Sequence, residues 1–332
     1  MDIRELERQD IDVLRRYWEL GRDTEAAYRP YDFYMPWETA LTRYTQGRPG
    51  YRNVLLAAYD GDAMVGTGYL TLPVLDNQHL AFGDVQVHPE HQRCGVGTAL
   101  VREVEQVARA EGRRTLVCEA YAPIGEDSAA LRFAHALGYA EALEDGMKIV
   151  DLFETEPTWA RLEEEVAGRH EGYRLVGWQD TVPDEHLAAF CRINEAFNEE
   201  APSGELELEA EVWDEQRVRD SERQNLASGR HMLAVAAIAP DGTLAGLTEI
   251  MVNEHAPHRG FQSGTLVLPE HRGHALGLAM KLANHRAARA AFPECRVLIT
   301  GNAGVNVAMN KVNDRLGYRA IERCIEVQKD LG

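Results

Sequence analysis

An α/β fold built twice, each copy a mixed and mainly antiparallel sheet flanked by helices, is what three features of this sequence predict. The stretch Val87-His88-Pro89-Glu90-His91-Gln92-Arg93-Cys94-Gly95-Val96-Gly97 is echoed by Val267-Leu268-Pro269-Glu270-His271-Arg272-Gly273-His274-Ala275-Leu276-Gly277, an offset of 180 (269 minus 89). Leu137-Gly138-Tyr139 returns as Leu316-Gly317-Tyr318 at an offset of 179 (316 minus 137), so two separate markers keep nearly one register. The chain's 332 residues also exceed one ordinary core, given roughly 100 to 200 residues per domain.

The elements follow in the same order in both copies. Residues 54 to 59 are β-rich and end at the Asp60-Gly61 turn, and residues 64 to 72 read as the returning strand of a hairpin. A third strand covers residues 80 to 87 and stops at Pro89. Beyond it Val96, Leu100, Val104 and Val107 recur at spacings of four, four and three, the apolar stripe of a helix that ends near Gly112. Residues 115 to 118 form a further short strand and residues 128 to 137 a short helix, with Gly138 as its C-terminal stop. The second copy repeats this as strands 232 to 238, 244 to 252 and 264 to 268, a helix from Leu276, a strand 296 to 300 and a helix to Leu316. Residues 154 to 170, rich in Glu and Arg, read as a polar linking helix, which divides the chain into 1–153, the linker 154–170 and 171–332.

Composition narrows the function classes. With 45% hydrophobic and 27% charged residues the chain is an ordinary globular protein. The opening residues hold no secretory apolar run and no stretch of about 18 apolar residues occurs, which predicts a cytoplasmic chain without a membrane partner. Five widely spaced cysteines with no CxxC pair suit a reducing compartment and argue against a zinc ribbon. The formal charge of −19 repels a nucleic-acid backbone and concentrates cations, although solubility alone is the blander reading. His255, His258, His271 and His274 form two HxxH pairs without the helix and Glu of a zinc protease, so no metal is expected.

The chemistry is carried by the turn after the third strand. Gln92-Arg93-Cys94-Gly95-Val96-Gly97 opens directly into the amphipathic helix, whose first amides have no intrahelical partners. Those donors and the positive end of the helix dipole suit a phosphate or pyrophosphate, and glycine lets the anion come close. A turn that merely reverses the chain is the competing reading. A Walker loop requires Gly-Lys-Ser/Thr, which neither copy has, and a Rossmann unit requires an early parallel βαβ turn rather than one after hairpin strands.

Meander strands, then V-x-V-x-P-x-x-Q-x-x-G-x-G, then helix, strand, short helix and L-G-Y resemble the GNAT superfamily of acetyl-CoA-dependent N-acetyltransferases, across both halves. The resemblance implies that the amides of Arg93, Cys94, Gly95, Val96, Gly97 and Thr98 hold the pyrophosphate of CoA, with Gln92 beside them in the cofactor site, while the strand edge at Val85 and Val87 pairs with pantetheine. In the second half it points to Thr265 and Val267 on the strand, to Arg272 at the glutamine position and to Gly273, His274, Ala275, Leu276, Gly277 and Leu278 in the loop, with Ala275 in place of the middle glycine. The family's tyrosine, five residues before the last aromatic of L-G-F/Y, is Ala134 in one half and Asn313 in the other. Its asparagine earlier on that helix is Asn306 in the second half and Asp127 in the first. The first half is the expected principal CoA site, because close approach of backbone to pyrophosphate is the more demanding constraint.

An acceptor ammonium must lose a proton before its nitrogen attacks a thioester, so a base is expected. Asp84, directly before the cofactor strand, is the leading candidate against the plain reading of a solvated strand-end carboxylate. Glu119, Tyr121 and His135 are further candidates for acid or base, with Glu249 and Asn302 in comparable places in the second half. Residues 28 to 37 and 198 to 205 are expected to shape acceptor specificity. Three readings stay open: an N-acetyltransferase of small-molecule amines, a biosynthetic acetyltransferase like mycothiol synthase, and a CoA-binding sensor without turnover. The acceptor, the acyl length and the choice between monomer and homodimer are not encoded legibly.

Overall fold

The computed structural model of the protein describes residues 1–31 and 33–332, with the side chain of Asn198 also outside the described set. Asp32 and that side chain are therefore the two parts of the expected acceptor segments that lie outside the described residues. The first half runs β1 (Asp2–Glu5), α1 (Ile11–Tyr28), α2 (Trp37–Gln46), β2 (Tyr51–Asp60), β3 (Ala63–Pro73), β4 (Leu80–Val87), α3 (Val96–Ala110), β5 (Thr115–Ala122), α4 (Ala129–Ala136) and β6 (Ala140–Asp151). After α5 (Leu152–Ala167) the second half runs β7 (Arg174–Gln179), α6 (Asp184–Glu200), α7 (Glu215–Ala227), β8 (Arg230–Ile238), β9 (Leu244–Asn253), β10 (Arg259–Val267), α8 (Leu276–Ala291), β11 (Val297–Ala303), α9 (Val307–Arg315) and β12 (Arg319–Asp330).

Local sequence explains the elements that position the site. Leu14, Tyr17, Trp18 and Gly21 give α1 its buried face, and Asp10 caps it by accepting from the Val13 amide at 3.1 Å. In α3 Val96, Leu100 and Val104 of the expected stripe are buried against the sheet together with Ala108, while Val107 is half-buried at the edge of the same core. Residues 53 to 59 of β2 are buried on both faces because α3 covers one side and α1 the other. Several strands extend beyond expectation: β2 begins at Tyr51, β5 continues to Ala122, β10 begins at Arg259 and β11 continues to Ala303.

Among the described residues twelve strands form one sheet in the order β1-β2-β3-β4-β5-β12-β6-β11-β10-β9-β8-β7. The C-terminal strand β12 lies between β5 and β6, while β6 pairs with β11, so each half lends its last strand to the other. Ile325 and Val327 of β12 complete the core beneath α3 and α4, and Val150 of β6 joins the core under α5 and α8. Helices α1, α2, α6 and α7 cover the opposite face.

Candidate active site

The site begins where two parallel strands part. β4 and β5 pair from Leu80 opposite Thr115 to Gly83 opposite Cys118, and no pairing continues beyond. From Asp84 onward the β4 edge facing β5 is open. The same opening follows Phe261 opposite Ile299 in β10 and β11. Side chains alternate across the sheet: Val85 and Val87 pack with Val96 under α3, whereas Asp84 and Gln86 face α1.

The loop after β4 is held by both of its neighbours. Gln92 donates to the Val87 carbonyl at 3.1 Å and accepts from the Tyr28 hydroxyl at 3.0 Å, which fixes the loop to the strand and to the end of α1. Arg93 and Gly95 take positive φ values of 62° and 87°, and α3 starts at Val96 without a side-chain cap. The amides of Val96, Gly97 and Thr98 are thereby left for an anion. The second loop is a close copy. Arg272 donates to the Val267 carbonyl at 3.1 Å and pairs at 2.6 Å with Glu200, at the end of α6. Gly273 and Ala275 take φ of 90° and 58° at the two matching positions. Each half thus puts its glycine at the opposite one of two left-handed sites. Replacement of the middle glycine by Ala275 leaves the backbone path intact, at the strain an alanine carries there. His274 lies against the ring of Tyr173, whose hydroxyl meets His271 at 3.0 Å.

Facing α1, the first half gathers carboxylates. Asp84 lies opposite Tyr69 on β3, keeps a solvent-accessible side chain, and is still surrounded by protein. That combination describes the floor of a cleft. Desolvation, then the charges of Glu119 and Glu25, push its carboxyl up to about 6. Glu119 accepts from the Tyr121 hydroxyl at 2.6 Å, and burial raises the Tyr121 phenol above its ordinary range. The Arg29 guanidinium stacks 3.7 Å from the Tyr121 ring centroid and donates to Glu322 of β12 at 3.1 Å. Glu326 lies directly opposite Glu119 and is pushed up to about 7 by desolvation, then by Glu119 and Asp145. Asp145 on β6 is raised by desolvation and by Glu119. Next to Glu326 a cavity of about 310 Å³ is walled by Phe82, Leu143, Leu206, Leu208 and Arg217. Its far wall is residues 201 to 211 of the second half, tied to the first where Asn77 and Glu209 exchange hydrogen bonds of 3.0 and 2.6 Å.

The structure brings Asp84, Glu119 and Tyr121 together but not His135. Its helix α4 turns Leu131 and Ala134 into the core under α3, which leaves His135 outward on the other face, 3.1 Å from Glu141. Asn313 is likewise not open to a ligand. It is fully buried, accepting from Lys281 at 2.6 Å and donating to Asn302 at 2.5 Å. Asn306 caps α9 by accepting from the Met309 amide at 3.2 Å. Arg29, Asp145, Glu322 and Glu326 were missed by sequence reasoning. Their positions depend on pairing between segments nearly 300 residues apart, for which the sequence carries no local mark.

Residues 15–139 match the profile described as the acetyltransferase (GNAT) family. No curated protein matches the sequence. Among solved structures, a tandem GNAT protein from the clavulanic acid biosynthesis pathway is 26% identical, covers 100% of this chain and 98% of its own, and has a TM-score of 0.83. A GCN5-related N-acetyltransferase from Sphaerobacter thermophilus (18% identity, 99% and 95% coverage, TM-score 0.67) and an acetyltransferase described as putative from Pyrococcus horikoshii (15%, 99% and 89%, 0.57) share the fold. Among the described residues no helix is long and apolar enough to cross a membrane. Acyl transfer is the general chemistry that these likenesses support. Residues 15–139 thus carry a GNAT acetyltransferase domain, and the chain is similar along its whole length to a tandem GNAT protein.

Proposed function

We propose that the protein is an acetyl-CoA-dependent N-acyltransferase whose first half acylates a small, cationic primary amine. The observation that carries this reading is one juxtaposition: an uncapped, positively polarised loop on one side of the β4 opening and the Asp84, Glu119, Asp145 and Glu326 carboxylates on the other. An anion is held at one end and a cation drawn to the other. The loop fits a pyrophosphate because its first-turn amides lack side-chain caps and open space lies where a Cβ on Gly95 would stand. Gln92, Arg93, Cys94, Gly95, Val96, Gly97 and Thr98 would hold that group, and Val85 and Val87 offer the strand edge to pantetheine. Acetyl-CoA supplies the acyl group and a thiol leaving group. Asp84 takes the ammonium proton, and Glu119 with Tyr121 orients the amine. The cavity beside Glu326 takes the rest of the acceptor, with apolar walls and acidic ends. The charge of −19 makes nucleic acid an unsuitable partner.

A second reading, a CoA-binding protein without turnover, is favoured by Ala134 and the locked amide of Asn313, which leave both halves without a donor at the family's usual place beside the thiol. Free CoA thiol released from acetyl-CoA across a panel of diamines, aminoglycosides and amino sugars separates the two. Release with at least one cationic amine is expected, and saturable CoA binding without release supports the second reading. Gly97→Asp puts a carboxylate on the first-turn amides and is expected to weaken CoA binding at the first loop at least tenfold in calorimetry, about 1.4 kcal/mol. The added Cβ meets the rim of the Phe133 ring at 3.2 Å and a methyl of Val87 at 3.5 Å.

A further inference from the structure

We propose that the second half holds an acceptor site of its own, in which Glu249 takes the proton from a short primary alkylammonium before the amine attacks an acyl-CoA thioester. The inference rests on the acyl-CoA transferase reading above.

The two strand pairs that floor the halves keep one register. Gly66 faces Val87 and Gly68 faces Val85 in β3 and β4; Gly246 faces Val267 and Thr248 faces Thr265 in β9 and β10, each 180 residues on (246 minus 66, 267 minus 87). The next rung in the first half is Tyr69 opposite Asp84. In the second half the positions 180 residues on are Glu249 and Gly264, at an irregularity where Ser263 and Gly264 together stand against Glu249, between the Gln262–Ile250 and Thr265–Thr248 pairs. The carboxylate has crossed from one strand of the pair to the other. Gly264 cannot carry it, because a Cβ there would lie 2.7 Å from the ring of Phe197 on α6.

Glu249 opens into a separate cavity of about 130 Å³ lined by Ile193, Asn194 and Phe197 of α6, Leu247 of β9, and Gly264 and Leu266 of β10. Among the described residues no charged group besides Glu249 lines this cavity, and Ala234 is its neighbour on β8. Among the described residues its carboxylate has no hydrogen bond or ion pair, and desolvation alone raises it to about 7. Buried carboxylates are normally paired or hydrogen-bonded, so an unpaired one facing a cavity points to a partner from outside the chain. The volume is about that of four water molecules at roughly 30 Å³ each, which suits an alkyl chain of four or five atoms rather than a sugar. The opening between β10 and β11 and the second loop, with its two left-handed residues and uncapped α8 amides, stand beside this rung as their counterparts stand beside Asp84.

The step balances as follows. Glu249 carboxylate accepts one proton from R–NH3+. The freed nitrogen forms a C–N bond to the thioester carbonyl carbon, the C–S bond breaks, and the CoA thiolate takes the second nitrogen proton. Amide, CoA thiol and one proton on Glu249, released to solvent, are the products.

The test uses the full chain with acetyl-CoA and 1-butylamine as the probe. Thiol release is expected at pH 8 and is expected to fall at least tenfold in both Glu249→Gln and Gly277→Asp, whose added Cβ meets only Val267 at 4.0 Å. Thermal unfolding gives a readout independent of turnover. Glu249 is raised in the folded state, so its destabilising effect grows as pH rises through about 7; Glu249→Gln is expected to melt above wild type at pH 8, with the gap closing at pH 5. Butylamine-dependent release that is absent from a CoA-binding protein, or unchanged in Glu249→Gln, overturns the proposal, as does a lower melting point for that variant at pH 8. Absence of CoA binding at either loop overturns the broader reading instead.

Discussion

At the scale of single residues, the site depends on carboxylates held near neutrality by crowding and on one arginine that ties them to the C-terminal strand. As the proposed base, Asp84 works only when ionised, so activity is expected to rise with pH through about 6 and then level off. Asp84→Asn is expected to lower kcat/KM by about 10² to 10⁴ and to abolish that rise, as a pH series with the preferred amine will show. Arg29 lies 3.2 Å from Glu25, donates to Glu322 and covers Tyr121, with little of any of these side chains exposed. Removing the cation leaves the buried Glu322 carboxylate without this ion pair. Arg29→Met is therefore expected to cost about 3 kcal/mol in urea unfolding, more than any exposed ion pair contributes.

At the scale of elements, the two loops show that a backbone path can outlast the residues that first suggest it. Both place a left-handed residue two positions apart, yet Arg93 precedes Gly95 in one and Gly273 precedes Ala275 in the other. Ala275 sits at φ 58°, where a Cβ costs roughly 1 kcal/mol relative to glycine. Ala275→Gly is accordingly expected to stabilise the protein by about 0.5 to 1 kcal/mol, read as a shift of the denaturation midpoint at constant m. Helices α1 and α6 do matching work, since Tyr28 and Glu200 at their ends tether Gln92 and Arg272. The carboxylates on β4 and β9 do not match, which makes the two clefts chemically different although their frames coincide.

At the scale of the whole molecule, exchange of β6 and β12 makes the halves interdependent. Residues 1–153 alone would lack β12, leaving the β5 edge unpaired and the first core without Ile325, Val327 and Leu331, each worth roughly 2 kcal/mol of burial. That fragment is expected to aggregate or to show no cooperative thermal transition by circular dichroism, whereas the full chain unfolds cooperatively. The cavity beside Glu326 has the same composite origin. Its walls come from β4, β6 and β12 and from residues 201 to 211, so neither half encloses it alone.

The sequence by itself determined the repeat, the hairpin strands, and the glycine-bearing loop with the helix that follows it in each half. Each is written in local periodicity or in turn chemistry, and contacts within a few residues decide them. Asp84, Glu119 and Tyr121 were legible because they flank the first of these loops on neighbouring strands. Strands β6 and β12 were not, since Glu141, Asp145, Glu322 and Glu326 interrupt their apolar pattern where the sheet floors an acidic cleft. Only the tertiary structure decided that these strands trade places, that His135 faces away, and that Asn313 is locked by Lys281. Strand pairing across the chain is chosen by the burial it completes, and that choice leaves no mark in any short window of residues.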